Sequence, residues 1–374
     1  MAIYNHDLKV SEGYARSFPS IRELLCQQEI NEVFDVYDTD SKTAKTKFLR
    51  YGLTALCLGI AGLVIGLVEL TVIAVLTLWT GEVLHVHPLF SITGPACALI
   101  AIIIYRISRH KHWRETWRGA LFARERIRQW HFQMFLDGAL ICQFSNPDTR
   151  GEAKLKIKRR WELFKASVID PVPAMSAFTK NKNKEPDPWD HPETPYTDEA
   201  TAKEVYEALL ELRFRHQVQY SEKRGAKEGG EKSFGPVERD FKTESLAQTT
   251  FQSAIVVSAA LTALYALLWW KPELPIEHGL AVGGTMLSAL AILLAILNAG
   301  IRVYRIGYTL PFEGESYLHY QEKCQHLRDH WHPPTAKPKG GFSFDTSALR
   351  ELEVQAHREL RRFLIIKGSA SFLF

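Results

Sequence analysis

The residue with the sharpest chemical consequence is Glu69, an acid inside the apolar run Gly52 to Trp79 (GLTALCLGIAGLVIGLVELTVIAVLTLW). A carboxylate in such surroundings is costly and faces protein or water. Two roles follow: lining an aqueous pore, or hydrogen-bonding a neighbour such as Thr71, Thr77 or Ser91. Asn298 and Arg302 stand at the end of another apolar run, placed to pair across an inner mouth, and with Glu69 they are the pore or gating candidates. A basic run, Lys154, Lys156, Lys158, Arg159 and Arg160, either binds anionic lipid or a nucleotide, or is a solvated helix face. No phosphate loop, nucleophile elbow or zinc spacing is present. Gly279 to Gly284 carries glycines but lies in an apolar run. The pairs His85/His87, His110/His112 and His330/His332 lack cysteine or carboxylate at metal spacing. His191, in Trp189-Asp-His191, has no partner nucleophile. The reading is a non-enzyme with no catalytic residue, no metal and no cofactor.

Four apolar runs must position these groups: 52–79, 89–105, 254–270 and 279–301. A bilayer core needs about 20 apolar residues as helix. The fold class read from them is all-α: a polytopic membrane protein with four transmembrane helices in two hairpins, plus cytoplasmic amphipathic helices. The short connectors 80–88 and 271–278 carry one cation, Lys271. The other ends are basic: Lys42, Lys45, Lys47 and Arg50 before the first run, and Arg106, Arg109, Lys111, Arg114 and Arg118 after the second. The positive-inside rule then sets both connectors outside and both termini in the cytoplasm. Trp79, Trp269 and Trp270 fall at the outer interface. The segments are an N-terminal cytoplasmic segment (1–50), hairpin 1 (51–107), a cytoplasmic helical segment (108–250) with a Pro/Lys-rich linker (170–196), hairpin 2 (251–303) and C-terminal cytoplasmic helices (304–374). The first 50 residues read as polar, without the apolar stretch a secretory signal needs. The five cysteines form no CxxC pair and read as reduced thiols. A net charge of +4 gives no reason to expect a nucleic-acid partner.

In the polar segments, Trp113, Trp117, Leu121, Ala123, Ile127 and Trp130 recur at helical steps, predicting a helix to Leu136 that continues from the second run. Further helices are expected over 152–167, 198–224 (with Thr197 as N-cap), 314–331 and 347–366. Small residues recur in the apolar runs. Gly52, Gly59 and Gly66 are seven apart, and Gly62 with Gly66 makes GxxxG; Ser258, Thr262 and Ala266 repeat every fourth residue, as do Gly284 and Ser288. Such stripes let helices approach closely, within one subunit or between subunits.

The halves resemble each other. Asp40-Ser-Lys-Thr43 and Asp240-Phe-Lys-Thr243 precede the two pairs of runs, and Tyr105-Arg-Ile107 and Tyr304-Arg-Ile306 close them. Duplication of a two-span unit in one orientation accounts for both matches.

The stretch Leu212 to Arg224 (LRFRHQVQYSEKR), with Tyr206 before it, presents Tyr206, Arg213, Gln217, Tyr220 and Lys223 in a pattern that resembles the helix preceding the spans in the SLATT family, bacterial two-span effector domains associated with SMODS and SLOG proteins. Glu315, Tyr317, Tyr320, Leu327 and Trp331 resemble the helix after their spans. The likeness is best over 197–332. In the first half it runs through Trp113, Arg118, Glu125, Arg128 and Trp130. The resemblance implies a membrane-disrupting or pore-forming effector of nucleotide-triggered antiviral defence in the bacterial inner membrane. The partners expected are the lipid bilayer, further copies of the chain, and a cytoplasmic regulatory protein or nucleotide signal. A membrane-anchored scaffold and a transporter are the competing readings.

Overall fold

The computed structural model describes residues 8, 10, 12–80, 88–171, 191–225, 236–270, 278–337, 341–343, 346–369 and 372. The chain is mostly helical, and four of its helices are long and apolar enough to cross a membrane. Helix α1 is Gln28–Thr80 and α2 is Pro88–His110. Helices α3 (Trp113–Gln133), α4 (Gly138–Ser145) and α5 (Arg150–Phe164) follow. Next come α6 (Glu199–Leu209), a π-helical stretch (Leu210–Arg215) and α7 (His216–Gly225). The remaining helices are α8 (Pro236–Trp270), α9 (His278–Tyr308), α10 (Leu310–Asp329) and α11 (Ser347–Ser369). Strands β1 (Thr335–Ala336) and β2 (Phe342–Ser343) form a small antiparallel ladder, and Tyr196 bridges to Phe342.

Two compact units emerge, each gathering several segments drawn from the sequence. A polar unit comprises Met1–Lys45, Arg114–Val237 and Phe312–Ser369. A membrane unit comprises Thr46–Trp113, Glu238–Pro311 and Ala370–Phe374. Three polar stretches thus make one fold. Its apolar centre is supplied by all of them: Phe34 from the first, Trp130, Trp161 and Phe214 from the second, Trp331 and Leu352 from the third. Trp130, Trp161 and Phe164 pack their rings together, with Trp130 and Trp161 centroids 5.1 Å apart. Stripes at three- and four-residue steps account for this. On α5, Ala153, Ile157, Trp161 and Phe164 are buried, and the opposite side is solvated.

The helix ends obey local chemistry. The Asp137 carboxylate accepts from the Leu140 N–H to cap α4. Asp198, not Thr197, caps α6, accepting from the Thr201 N–H at 2.8 Å. The helix expected to run on from the second apolar run is broken instead: α2 ends at His110, and His112 takes φ +50°, a left-handed conformation that stops a helix. At the end of the linker His191 and Tyr196 are buried; 172–190 lie outside the described residues, as do the connectors 81–87 and 271–277.

In the membrane unit only 6% to 17% of each apolar window is buried. Leu70, Ile92, Leu99, Val256 and Met286 are all exposed. A water-soluble protein does not present apolar surface on this scale; a hydrocarbon solvent removes the cost. Helices α1 and α2 meet at Gly62 and Gly94, where a Cβ on Gly62 would lie 2.8 Å from the Gly94 carbonyl oxygen. Pro95 follows at once inside α2 and has no N–H to donate to the carbonyl one turn earlier. Helix α9 meets α1 at Gly300 against Ile60.

Candidate functional site

Within the membrane unit, one set of polar side chains joins an end of α8 to an end of α9. Asn298 is buried, and its amide Nδ2 donates to the Ala247 carbonyl and, at 3.1 Å, to Thr250 Oγ1. Its Oδ1 accepts from Arg302 Nε at 2.9 Å. Arg305 one turn on donates to Asp240 Oδ1 at 2.7 Å and pairs with Glu244. Asn298 and Arg302 do pair, but along one helix at i, i+4 rather than across a mouth. The amide is spent holding α8 to α9. The two similar strings differ in their surroundings: Asp240 has its arginine, whereas Asp40 and Arg106 are exposed.

Glu69 is half-buried on α1. One proposed partner is committed elsewhere: the Thr71 hydroxyl donates to the Leu67 carbonyl of its own helix at 2.7 Å. The side chain of Ser91 lies outside the described ones. Of the small residues, Gly62 makes a true backbone approach, and Gly59 and Gly66 leave open space where a Cβ would stand. The contact is one crossing, where Gly94 lies against the backbone of both Gly62 and Gly66, the Gly66 N and Cα standing 3.5 and 3.8 Å from a Cβ built on Gly94. Ser258 and Thr262 face outward, with the Thr262 hydroxyl bonded back to the Ser258 carbonyl. Gly284 is buried, and Ser288 bonds back to its carbonyl.

Gly52 has a different reason. Together with Gly307 it walls a slot filled by the ring of Phe372, and a Cβ on Gly52 or Gly307 would come within 2.2 or 2.4 Å of that ring. Phe48 and Tyr308 close the slot, with ring centroids 5.7 and 5.5 Å from Phe372. The sequence showed an apolar tail but gave no sign of where it docks.

In the polar unit, the motif residues converge on α10 and α11. Arg213, in the π-helical stretch, makes a two-pronged ion pair with Glu353 of α11, at 2.6 Å from Nε and 2.9 Å from Nη2. Both side chains are buried. The guanidinium lies over the Phe132 ring, 5.3 Å from its centroid. Gln129 donates to the Glu353 carbonyl at 3.1 Å and accepts from Arg126. Gln217 accepts from the Tyr320 hydroxyl at 3.2 Å. Tyr206 stacks on Trp331 with rings 5° from parallel and donates to its carbonyl. Tyr220 is half-buried; the Lys223 side chain lies outside the described ones. A π-helical stretch adds a residue to a turn and recurs at functional positions; here it turns Leu212, Arg213 and Phe214 together into the core. Beside it, burial alone would raise the Glu125 carboxyl, but Arg128 and Arg124 outweigh burial and hold it at about 2. Burial pushes the Cys324 thiol up to about 12 despite the Tyr320 hydrogen bond, which leaves it inert.

A second buried cluster was not foreseen. Asp137 Oδ2 accepts from Arg160 at 2.6 Å, and its Oδ1 accepts from Thr194. His191 sits next to these groups, its ring centroid 4.9 Å from that of Trp130, with neither nitrogen hydrogen-bonded among the described residues. Burial, then Arg160, lowers its pKa to about 4, against a smaller opposing pull from Asp137. Among the described residues no group of three His, Cys, Asp or Glu is arranged to hold a metal. All five cysteines are free thiols. Compared with known proteins, the chain matches no family model, no curated protein and no solved structure.

Proposed function

We propose that this chain is an integral membrane effector of the channel-like kind, oligomeric, whose polar unit gates its spans from the cytoplasm. In this reading the spans form two hairpins in a bacterial inner membrane, with the connectors outside and the termini inside. The observation that carries it is α1, which runs unbroken from Gln28 to Thr80. At 1.5 Å per residue its 53 residues extend about 80 Å, against a hydrocarbon core of about 30 Å. This one helix begins among polar-unit residues and ends as a span, so it belongs to both units. Basic flanks at the inner ends favour the orientation. The SLATT-like run of Tyr206, Arg213 and Gln217 supports the effector class, and the defence role rests on that resemblance alone. Asn298 and Arg302 move, in this reading, from gating groups to the clasp of the second hairpin, and Glu69 is the pore candidate that remains.

The test is reconstitution in liposomes, with assembly measured by size and ion flux by an entrapped dye. Native chain is expected to pass cations in its activated state. Glu69→Gln keeps shape while removing the charge, so it should insert and assemble normally but lose flux or cation preference. Unchanged flux and selectivity in this variant would remove Glu69 from the pathway. No flux from any assembled form, with a soluble protein captured instead, would establish the membrane-anchored scaffold.

A further inference from the structure

Helix α5 buries one face in the polar unit and leaves the other without cover. On that outer face stand Leu155 and Leu163, exposed by 60% and 71%. Among the described residues of the polar unit these are the two most exposed large apolar side chains. A single exposed leucine is ordinary, but two of them two turns apart on one helix need a reason. The same helix carries the densest basic run in the chain. Four of its cations are committed: Arg150 and Lys154 to Glu23, Lys156 to Gln143 and Arg160 to Asp137. Lys158 and Arg159 are exposed and make no ion pair or hydrogen bond among the described residues. Glu152 and Glu162 share the helix and soften its charge without cancelling it.

We propose that this face of α5 binds anionic phospholipid headgroups at a membrane surface. Leucines flanked by unpaired cations suit that surface. The side chains of Leu155 and Leu163 enter the boundary between headgroups and acyl chains, while Lys158 and Arg159 stay at the level of the phosphates. A solvated helix face explains the cations but not the leucines, and a nucleotide site would need a walled pocket rather than a convex helix. The inference needs only that the chain is in a membrane, so it stands or falls apart from the channel reading.

The full chain carrying the photo-crosslinking residue p-benzoylphenylalanine in place of Leu163 is reconstituted in vesicles of phosphatidylcholine, with or without phosphatidylglycerol, irradiated and weighed by mass spectrometry. A phospholipid adduct is expected, at least several-fold more abundant with phosphatidylglycerol. Each cation near an anionic surface contributes roughly fivefold in binding, so Lys158→Glu with Arg159→Glu should cut the adduct by about 25-fold or more. Both positions are exposed, and an unchanged melting temperature and assembly size would show that the fold is intact. No lipid adduct, equal adducts in both vesicles, or a crosslink to another copy of the chain would overturn the proposal. Loss of the adduct on adding a nucleotide at constant ionic strength would overturn it in favour of a soluble anion.

Discussion

Glu353→Gln is the most informative single change in the polar unit. It preserves shape and removes one charge from a pair whose side chains are 2% and 0% exposed. Arg213 then keeps a full charge in a dry site. Breaking a buried pair from one side costs about 3–5 kcal/mol. The Phe132 ring under the guanidinium remains, and a desolvated cation–π contact of about 2 kcal/mol holds the loss near the lower figure. Gln129 bonds to the backbone carbonyl of residue 353, so that contact survives. For a fold of this size a loss of about 3 kcal/mol lowers the melting temperature by roughly 6–12 °C. Trp130, Trp161 and Trp331 are all buried there, so intrinsic fluorescence during heating of the detergent-solubilised chain reports it. The paired variant Arg213→Met with Glu353→Leu removes both charges and should recover most of the loss, or exceed the native stability. If Glu353→Gln melts within about 1 °C of native, or the double variant is worse than either single one, the pair does not have the role assigned to it.

Three further outcomes follow from the geometry. His191 is held neutral in the fold with a pKa lowered from 6.5 to about 4, so stability is full above about pH 6.5 and falls as pH drops toward 4; the whole effect is about 3 kcal/mol, and His191→Leu should flatten this part of a melting-temperature-against-pH curve. Gly62→Ala should loosen the α1–α2 crossing and shift assembly size or melting, because its Cβ meets a carbonyl oxygen at 2.8 Å, whereas Gly59→Ala, with open space, should be silent in both measurements. Phe372→Ala should empty the slot between Gly52 and Gly307 and cost about 3–5 kcal/mol locally, read as faster protease trimming of the C-terminus; Phe372→Trp should overfill it.

The four membrane helices were legible because hydropathy over 20 residues is a strong signal that needs no tertiary context. Helix existence in the polar segments was legible from periodicity, while boundaries moved by a few residues. What did not show was how the polar stretches combine. Arg213 was singled out from its motif, but its partner Glu353 was passed over. A trace was there: Leu349, Leu352, Ala356 and Leu360 define an apolar stripe on α11, and Glu353 occupies a position within it. An acid on an otherwise apolar stripe asks for a buried cation. Phe372 and His191 left no comparable trace, since a slot made by two glycines 255 positions apart exists only after folding. The direction of Asn298 was not legible, because sequence places it near the end of an apolar run but does not say which way it points; its hydrogen bonds turn it toward α8.

The Arg213–Glu353 pair also has a meaning in time. The two residues are 140 positions apart, and both α8 and α9 lie between them. At translation rates of about 5–20 residues per second, Arg213 waits roughly 7–28 s for its carboxylate. All four membrane-length helices are made before Glu353, which follows them on α11. The nascent chain therefore completes the part that meets the membrane before the part that closes around Arg213. A message cut short after α9 would yield spans without their finished polar partner, and a newborn chain passes through that same unfinished condition every time it is made.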